Sequence, residues 1–222
     1  KEIKSGKYSI ILSQMAFAPL LNNISDASSI YNVESGLSFL NKINKNYGSF
    51  TLEDDATLPN GFNSGKFDDE GVPTKRTKII NNGILKTYLH NTSTARKYKT
   101  KTTANAGLIS PAPHNIVFDA NKGDIFDVKE GIYITNVWYT RFQNYSNGDF
   151  STIPRDGAFL IKNGEIVQSL KGLRISDNML ALLKNIKCCN KKVLQIKSWE
   201  AEIPAFTPEV LIENVNITKA EH

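Results

Sequence analysis

The chain has little of what conventional catalytic centres are built from: three His, two Cys and two Met in 222 residues. The two cysteines are neighbours, Cys188 and Cys189. Vicinal cysteines bridge each other only with strain, and a single pair makes no disulfide framework. They read as small, partly buried thiols of a reducing compartment. His90, His114 and His222 are far apart in the chain. The HExxH device, which sets two imidazoles and a carboxylate on one helix, is therefore absent. His90 and His114 read as surface or capping groups ahead of ligands or bases. A Gly-x-Ser-x-Gly elbow, a P-loop and a dinucleotide fingerprint are missing too. No apolar run approaches the roughly 20 residues that span a bilayer, so no membrane partner is expected. No leader-like segment opens the chain at Lys1, and it reads as a piece of something longer. Charge of one sign is not concentrated either. The net charge is +5, with 27 basic and 22 acidic residues. The basic side chains are scattered, so nucleic acid is not favoured as a partner.

What is present suits one large soluble domain: 40% hydrophobic and 22% charged residues, enough to bury a core. Lys7 to Leu12 reads as a strand. Ser13 caps a helix carrying Met15, Phe17, Leu20, Leu21 and Ile24 on its core side, shortened or bent by Pro19. Asp26 reads as the cap of a second helix that runs to about Leu40. A strand at Phe50 to Glu53 gives way to a loop from Asp54 to Gly65. Asn82-Gly83 and Asn163-Gly164 each lie between apolar runs, the strongest short-range hairpin signal. Short helices are expected over Ser93 to Tyr98 and after a cap at Ser176 or Asp177, with one helical turn at Asp124 to Lys129. Strands are expected at Ile116 to Phe118, Gly131 to Trp138, Leu170 to Ile175, Val193 to Ile196 and Val210 to Ile217. Pro204 to Pro208 reads as a connection. The fold class is α+β: a mainly antiparallel β-sheet domain with several hairpins and three or four flanking helices.

The densest chemistry lies between Lys66 and Lys97. The acidic triplet Asp68, Asp69 and Glu70 precedes Gly71 and Pro73. A basic strand with Arg76 follows, then the Asn-Gly turn, then His90. The triplet could bind a cation. From the residues alone, ion pairs and turn caps holding a loop beside its own hairpin are the favoured reading.

At FDDEGVPTKRTKIINNGILKTYLHNTSTARK the chain resembles the TldD/PmbA family of DNA gyrase modulators and peptide-maturation proteases. The residues that carry the likeness are Asp68 to Pro73, Arg76, Asn82 to Leu85, Tyr88 to His90 and Thr94 to Arg96. Later pieces agree in order: Asn105-Ala106, Pro113 to Val117, Lys129 to Ile134, Asn147 to Ser151, Ile161 to Ile166 and Leu183 to Asn190. The resemblance covers nearly the whole chain. It implies that residues 1–222 are the C-terminal domain of a longer protein whose N-terminal domain is missing here.

TldD-type chains carry HExxxH on a helix and a Cys ligand near the C-terminus. Here the corresponding helix reads QMAFAPLLNNIS, and the later segment SWEAEIPAFTPEVLIENV has no Cys. The resemblance therefore implies a PmbA/TldE-type chain with no metal of its own. Zinc is expected in a TldD-type partner. The partner would be that subunit in a heterodimer, or a second copy in a homodimer, within a cytoplasmic metalloprotease acting on unfolded peptides. Asp68, Asp69, Glu70, Arg76, His90, Asn105, Asn115, Asp149 and Phe150 are the implied substrate or subunit contacts, with no catalytic residue among them. The alternatives are a self-standing peptidase with an unrecognised site and a non-enzymatic peptide-binding or gyrase-linked regulator.

Overall fold

The computed structural model describes residues 3–219, so His222 lies outside the described residues. In chain order the elements are β1 (Gly6–Leu12), α1 (Gln14–Ala27), α2 (Ile30–Glu34), β2 (Phe50–Asp55), β3 (Arg76–Asn81), β4 (Ile84–Leu85), α3 (Thr92–Lys97) and β5 (Ile116–Ala120). The second half adds β6 (Glu130–Asn144), β7 (Asp149–Lys162), β8 (Glu165–Ser169), β9 (Leu173–Asn178), α4 (Met179–Lys184), β10 (Ile186–Cys189), β11 (Leu194–Ser198), β12 (Ala201–Thr207) and β13 (Val210–Lys219).

The strands form two sheets. In the first, β1, β6, β7, β9 and β13 follow one another, and β13 pairs back onto β1. The ring closes, so this sheet is a small barrel, with β8 continuing from β7 and β10 from β13. Closure removes free edges from the five ring strands over the paired stretches. The second sheet stays open in the order β11-β12-β5-β2-β3-β4. The α+β class holds, but the mainly antiparallel sheet expected from the hairpins is too simple. The pairs β1–β6 and β12–β5 are parallel. Parallel partners need long crossovers, which turn signals do not reveal.

Helix α1 lies against both sheets. It packs on β6 of the barrel and on β12 of the open sheet. Such a helix must be apolar on more than one face, and Phe17, Ala18, Leu20, Leu21 and Ile24 are all buried. Ser13 caps it as expected, its side chain accepting the Ala16 N–H. Pro19 does not shorten it; the helix runs on to Ala27. The carbonyl that Pro19 leaves without a donor belongs to Met15. That residue is 38% exposed rather than in the core stripe, so solvent can reach the gap.

Other expectations shift for local reasons. Asp26 caps nothing: it falls inside α1, and α2 starts after Ser29. That helix ends at Glu34 rather than Leu40, because Gly36 turns left-handed at φ +69°. Asp124 to Lys129 forms turns, not a helix. The cap of α4 is Asn178, whose side chain accepts the N–H groups of Leu180 and Ala181. Pro204 lies inside β12, beside the register irregularity between Ile196 and Ser198, where a missing ladder donor is tolerated. Both Asn-Gly turns appear as expected, with φ +47° and +81° at Asn82-Gly83 and +48° and +82° at Asn163-Gly164.

Candidate functional site

The end of β2 carries three consecutive buried carboxylates, Glu53, Asp54 and Asp55. Alternation along the strand sends Asp54 to one side and its two neighbours to the other. On the first side, Asp54 is only 1% exposed. Its Oδ1 accepts the backbone N–H groups of His114 at 2.7 Å and Asn115 at 3.1 Å. Its Oδ2 accepts Asn105 Nδ2 at 2.5 Å and faces His114 Nδ1 at 3.3 Å. Burial pulls the His114 imidazole down. The hydrogen bond to Asp54, with the charges of Asp54, Asp68 and Asp69, outweighs it, and the pKa is raised.

On the opposite side Arg76 reaches across from β3. Its Nε donates to Glu53 Oε2 at 2.7 Å, and Nη2 contacts the same oxygen. Asp55 Oδ2 stands 3.9 Å from Nε. The Glu53 hydrogen bond and charge, aided by Asp55, raise the already high guanidinium pKa. Asp55 Oδ1 also accepts the N–H and hydroxyl of Thr57.

The acidic triplet extends this layer. Asp68 is buried; Oδ1 accepts from the N–H groups of Glu70 and Val72, and Oδ2 from that of Ala106. Asp69 N–H donates to the Ala106 carbonyl, while its side chain lies at the surface. Glu70 Oε2 accepts the Thr92 N–H at the start of α3. Asn115 Nδ2 donates to the Asp55 carbonyl and to Ser64 Oγ, and its Oδ1 accepts the Asn63 N–H. Asn105 is wholly buried; its Nδ2 also donates to the Ala112 carbonyl, while its Oδ1 has no partner among the described residues.

His90 is buried nearby, its backbone tied to Thr103 and its Nδ1 3.2 Å from Thr94 Oγ1. Burial lowers its pKa. Seven of the nine implied contacts therefore sit at the open sheet: Asp68, Asp69, Glu70, His90, Asn105 and Asn115 in the loops around it, and Arg76 at the start of its strand β3. The other two sit in the barrel. Asp149 accepts Asn178 Nδ2 at 2.8 Å, and Phe150 is buried against Phe142.

The sequence reading missed Glu53 and Asp54, which it assigned to a strand end and a loop. Charged residues in a strand ordinarily face water, and only the later Asn105 and His114-Asn115 pieces hint at buried partners. Chemically the layer fixes loops. Its carboxylates accept backbone N–H groups or pair with Arg76 and His114. Among the described residues, no group of three or more His, Cys, Asp or Glu side chains is placed to hold a metal ion.

A family model described as the PmbA/TldA metallopeptidase C-terminal domain matches residues 5–219. The chain belongs to this PmbA/TldD family. It is 34% identical over 208 residues to a metalloprotease of Methanocaldococcus jannaschii, covering 86% of this chain and 45% of that protein. A metalloprotease TldD homolog of Buchnera aphidicola is 29% identical over 84% of this chain and 41% of its own length. The chain thus spans less than half of these relatives. A crystal structure of a candidate DNA gyrase modulator from Thermotoga maritima superposes with a TM-score of 0.88 at 30% identity, over 98% of this chain and 51% of that one.

PmbA/TldD metallopeptidase chemistry raises the question of a metal on α1. The polar groups there are hydroxyls and amides with protein partners, and one exposed carboxylate, Asp26. Ser13 Oγ donates to the Thr135 carbonyl, Gln14 Nε2 to Lys192, and Asn22 Nδ2 to Ile203. Zinc takes imidazole, thiolate or carboxylate. Asp26 is the single such group on the helix, and one carboxylate does not make a zinc site, so the residues along it do not fit.

Proposed function

We propose that the chain is a metal-free, PmbA/TldE-type part of a zinc metalloprotease assembly, paired with a TldD-type subunit that supplies the metal. The observation that carries this reading is the donor set of α1. The helix is capped, buried and held by both sheets, yet it carries no His or Cys and only one carboxylate, the exposed Asp26, while Gln14 and Asn22 are held by protein partners. The Asp54 layer then serves as a rigid frame for the loops that would meet substrate or partner.

Unfolded peptide is the proposed substrate, taken as an extended strand. A backbone edge suits this mode. Strand β7 pairs with β9 over Asp149 to Thr152 and with β8 over Phe159 to Lys162. Between them, residues 153–157 have no strand on that side, and a cleft of about 640 Å³ opens there. Added strands bind through main-chain bonds and tolerate many sequences.

The test is co-expression with a TldD-type chain, followed by metal analysis and peptidase assay of each chain and of the pair. The expected result is zinc in the partner alone, with hydrolysis only when the partner is present. Stoichiometric zinc in this chain alone, with hydrolysis that depends on it, would overturn the proposal.

A further inference from the structure

Lys122 and Cys189 meet where the two sheets meet. Lys122 follows β5 of the open sheet, Cys189 ends β10 beside the barrel, and the two form an isolated parallel bridge. Lys122 Nζ lies 3.3 Å from Cys189 Sγ. The thiol is wholly buried, and its other contact is the Ala120 carbonyl at 3.4 Å. The lysine is partly open to solvent and lines a cleft on the outer face of the open sheet. Asp119 Oδ1 holds the same Nζ at 2.5 Å. Sulfur, nitrogen and carboxylate therefore follow one another from interior to surface.

Cys188 offers Cys189 no alternative partner. Adjacent strand residues point to opposite faces, and Cys188 Sγ approaches the Asp124 carbonyl instead, at 3.7 Å. A buried cysteine in apolar surroundings is normally inert. Here a lysine nitrogen lies against the sulfur, and an oxygen atom between them needs only a small further approach of the flexible lysine.

We propose that Lys122 and Cys189 form a covalent, reducible cross-link through one oxygen atom, Nζ–O–Sγ, when the protein meets dioxygen. The O=O bond breaks, with one oxygen entering the bridge and the other leaving as water. One S–H and two N–H bonds of the ammonium are lost as N–O and O–S form. Two of those hydrogens go into the water, and the third leaves as a proton to Asp119. Nitrogen and sulfur each give up two electrons, the four that dioxygen takes. The link ties the open sheet to the strand beside the barrel, and thiol reductants would reopen it.

The test compares the full chain held in aerated buffer with the chain kept anaerobic and reduced. Thiol titration and peptide mass mapping read the outcome. After aeration one of the two thiols is expected to disappear. The Lys122 and Cys189 peptides should travel together with a mass gain of one oxygen less two hydrogens. Trypsin should no longer cut after Lys122, and dithiothreitol should restore all three readouts. Lys122→Arg keeps the charge beside Asp119 and should abolish the link; Cys188→Ser should leave it intact. Two free thiols after aeration, a sulfinic acid on Cys189 without cross-linking, or a link that survives Lys122→Arg would each overturn the proposal.

Discussion

Asp54→Asn is the sharpest probe of the polar layer. The substitution keeps the shape and removes the charge. An amide has one acceptor oxygen for a site that presents four N–H or imidazole neighbours: His114 N, Asn115 N, Asn105 Nδ2 and His114 Nδ1. In either amide orientation the new NH₂ group meets donors. One or two buried bonds are lost, each about 1–3 kcal/mol, so a loss of about 2–4 kcal/mol is expected. Asp54→Ala removes every bond and should cost about 3–5 kcal/mol, the range for a broken buried pair. Urea unfolding measures both as a shift of midpoint with unchanged slope. A pH signature accompanies the loss. The His114 pKa is raised in the fold, so its contribution is fully present below its ordinary value of 6.5. It fades as pH rises through the raised value. In Asp54→Asn that slope should shrink or reverse, because burial then pulls the imidazole down against the charges of Asp68 and Asp69 alone. A variant within about 0.5 kcal/mol of the parent, or one that keeps the slope, would refute the account of Asp54 as the hub.

Gly83→Ala should be far worse than Gly164→Ala, although both glycines turn left-handed. A Cβ at Gly83 would sit 1.8 Å from the Gly48 carbonyl oxygen, whereas at Gly164 its nearest neighbour is 3.2 Å away. The second change should cost about 1–2 kcal/mol for the left-handed backbone alone, and thermal melts of the two variants decide the order. Asp26→Asn should stabilise the protein at pH 7 and have no effect near pH 3. Asp26 lies open to solvent between two clefts whose walls crowd its carboxyl, and that crowding, then the Glu202 charge, pushes its pKa from 3.8 up to about 6. The ionised carboxyl is therefore a burden on the fold above that value; a pH series of melting temperatures should show the two chains parting between these two pKa values. Phe17→Ala removes a buried ring packed edge-on against Phe118 at 4.9 Å and should cost about 3–5 kcal/mol.

Local chemistry was legible in the sequence and long-range assembly was not. The Ser13 cap and both Asn-Gly turns are written in a few adjacent residues, and each formed as expected. Barrel closure depends on which distant strands pair, and no local pattern encodes that. Strand β12 was hidden by Pro204 and β10 by its brevity. For the candidate site, the motif residues around Asp68 and Arg76 pointed to the right loops, because the family likeness marks them. Asp54 stayed invisible because its meaning lies in Asn105 and His114, which only the fold brings to it. Asp149 and Phe150 were grouped with the others by likeness alone, and the fold places them in the other sheet.

The pairing of β1 with β13 has a consequence for how such a chain is made. Gly6 meets Ile217 and Leu12 meets Val210. On a ribosome, β1 is synthesised before every other described strand and must wait for β13, which arrives after all of them. Until then the ring stays open at β1 and β9, and β10 lacks its neighbour. A nascent chain stalled before Val210 would therefore expose three strand edges at once, the condition under which chaperones bind and sheets mispair.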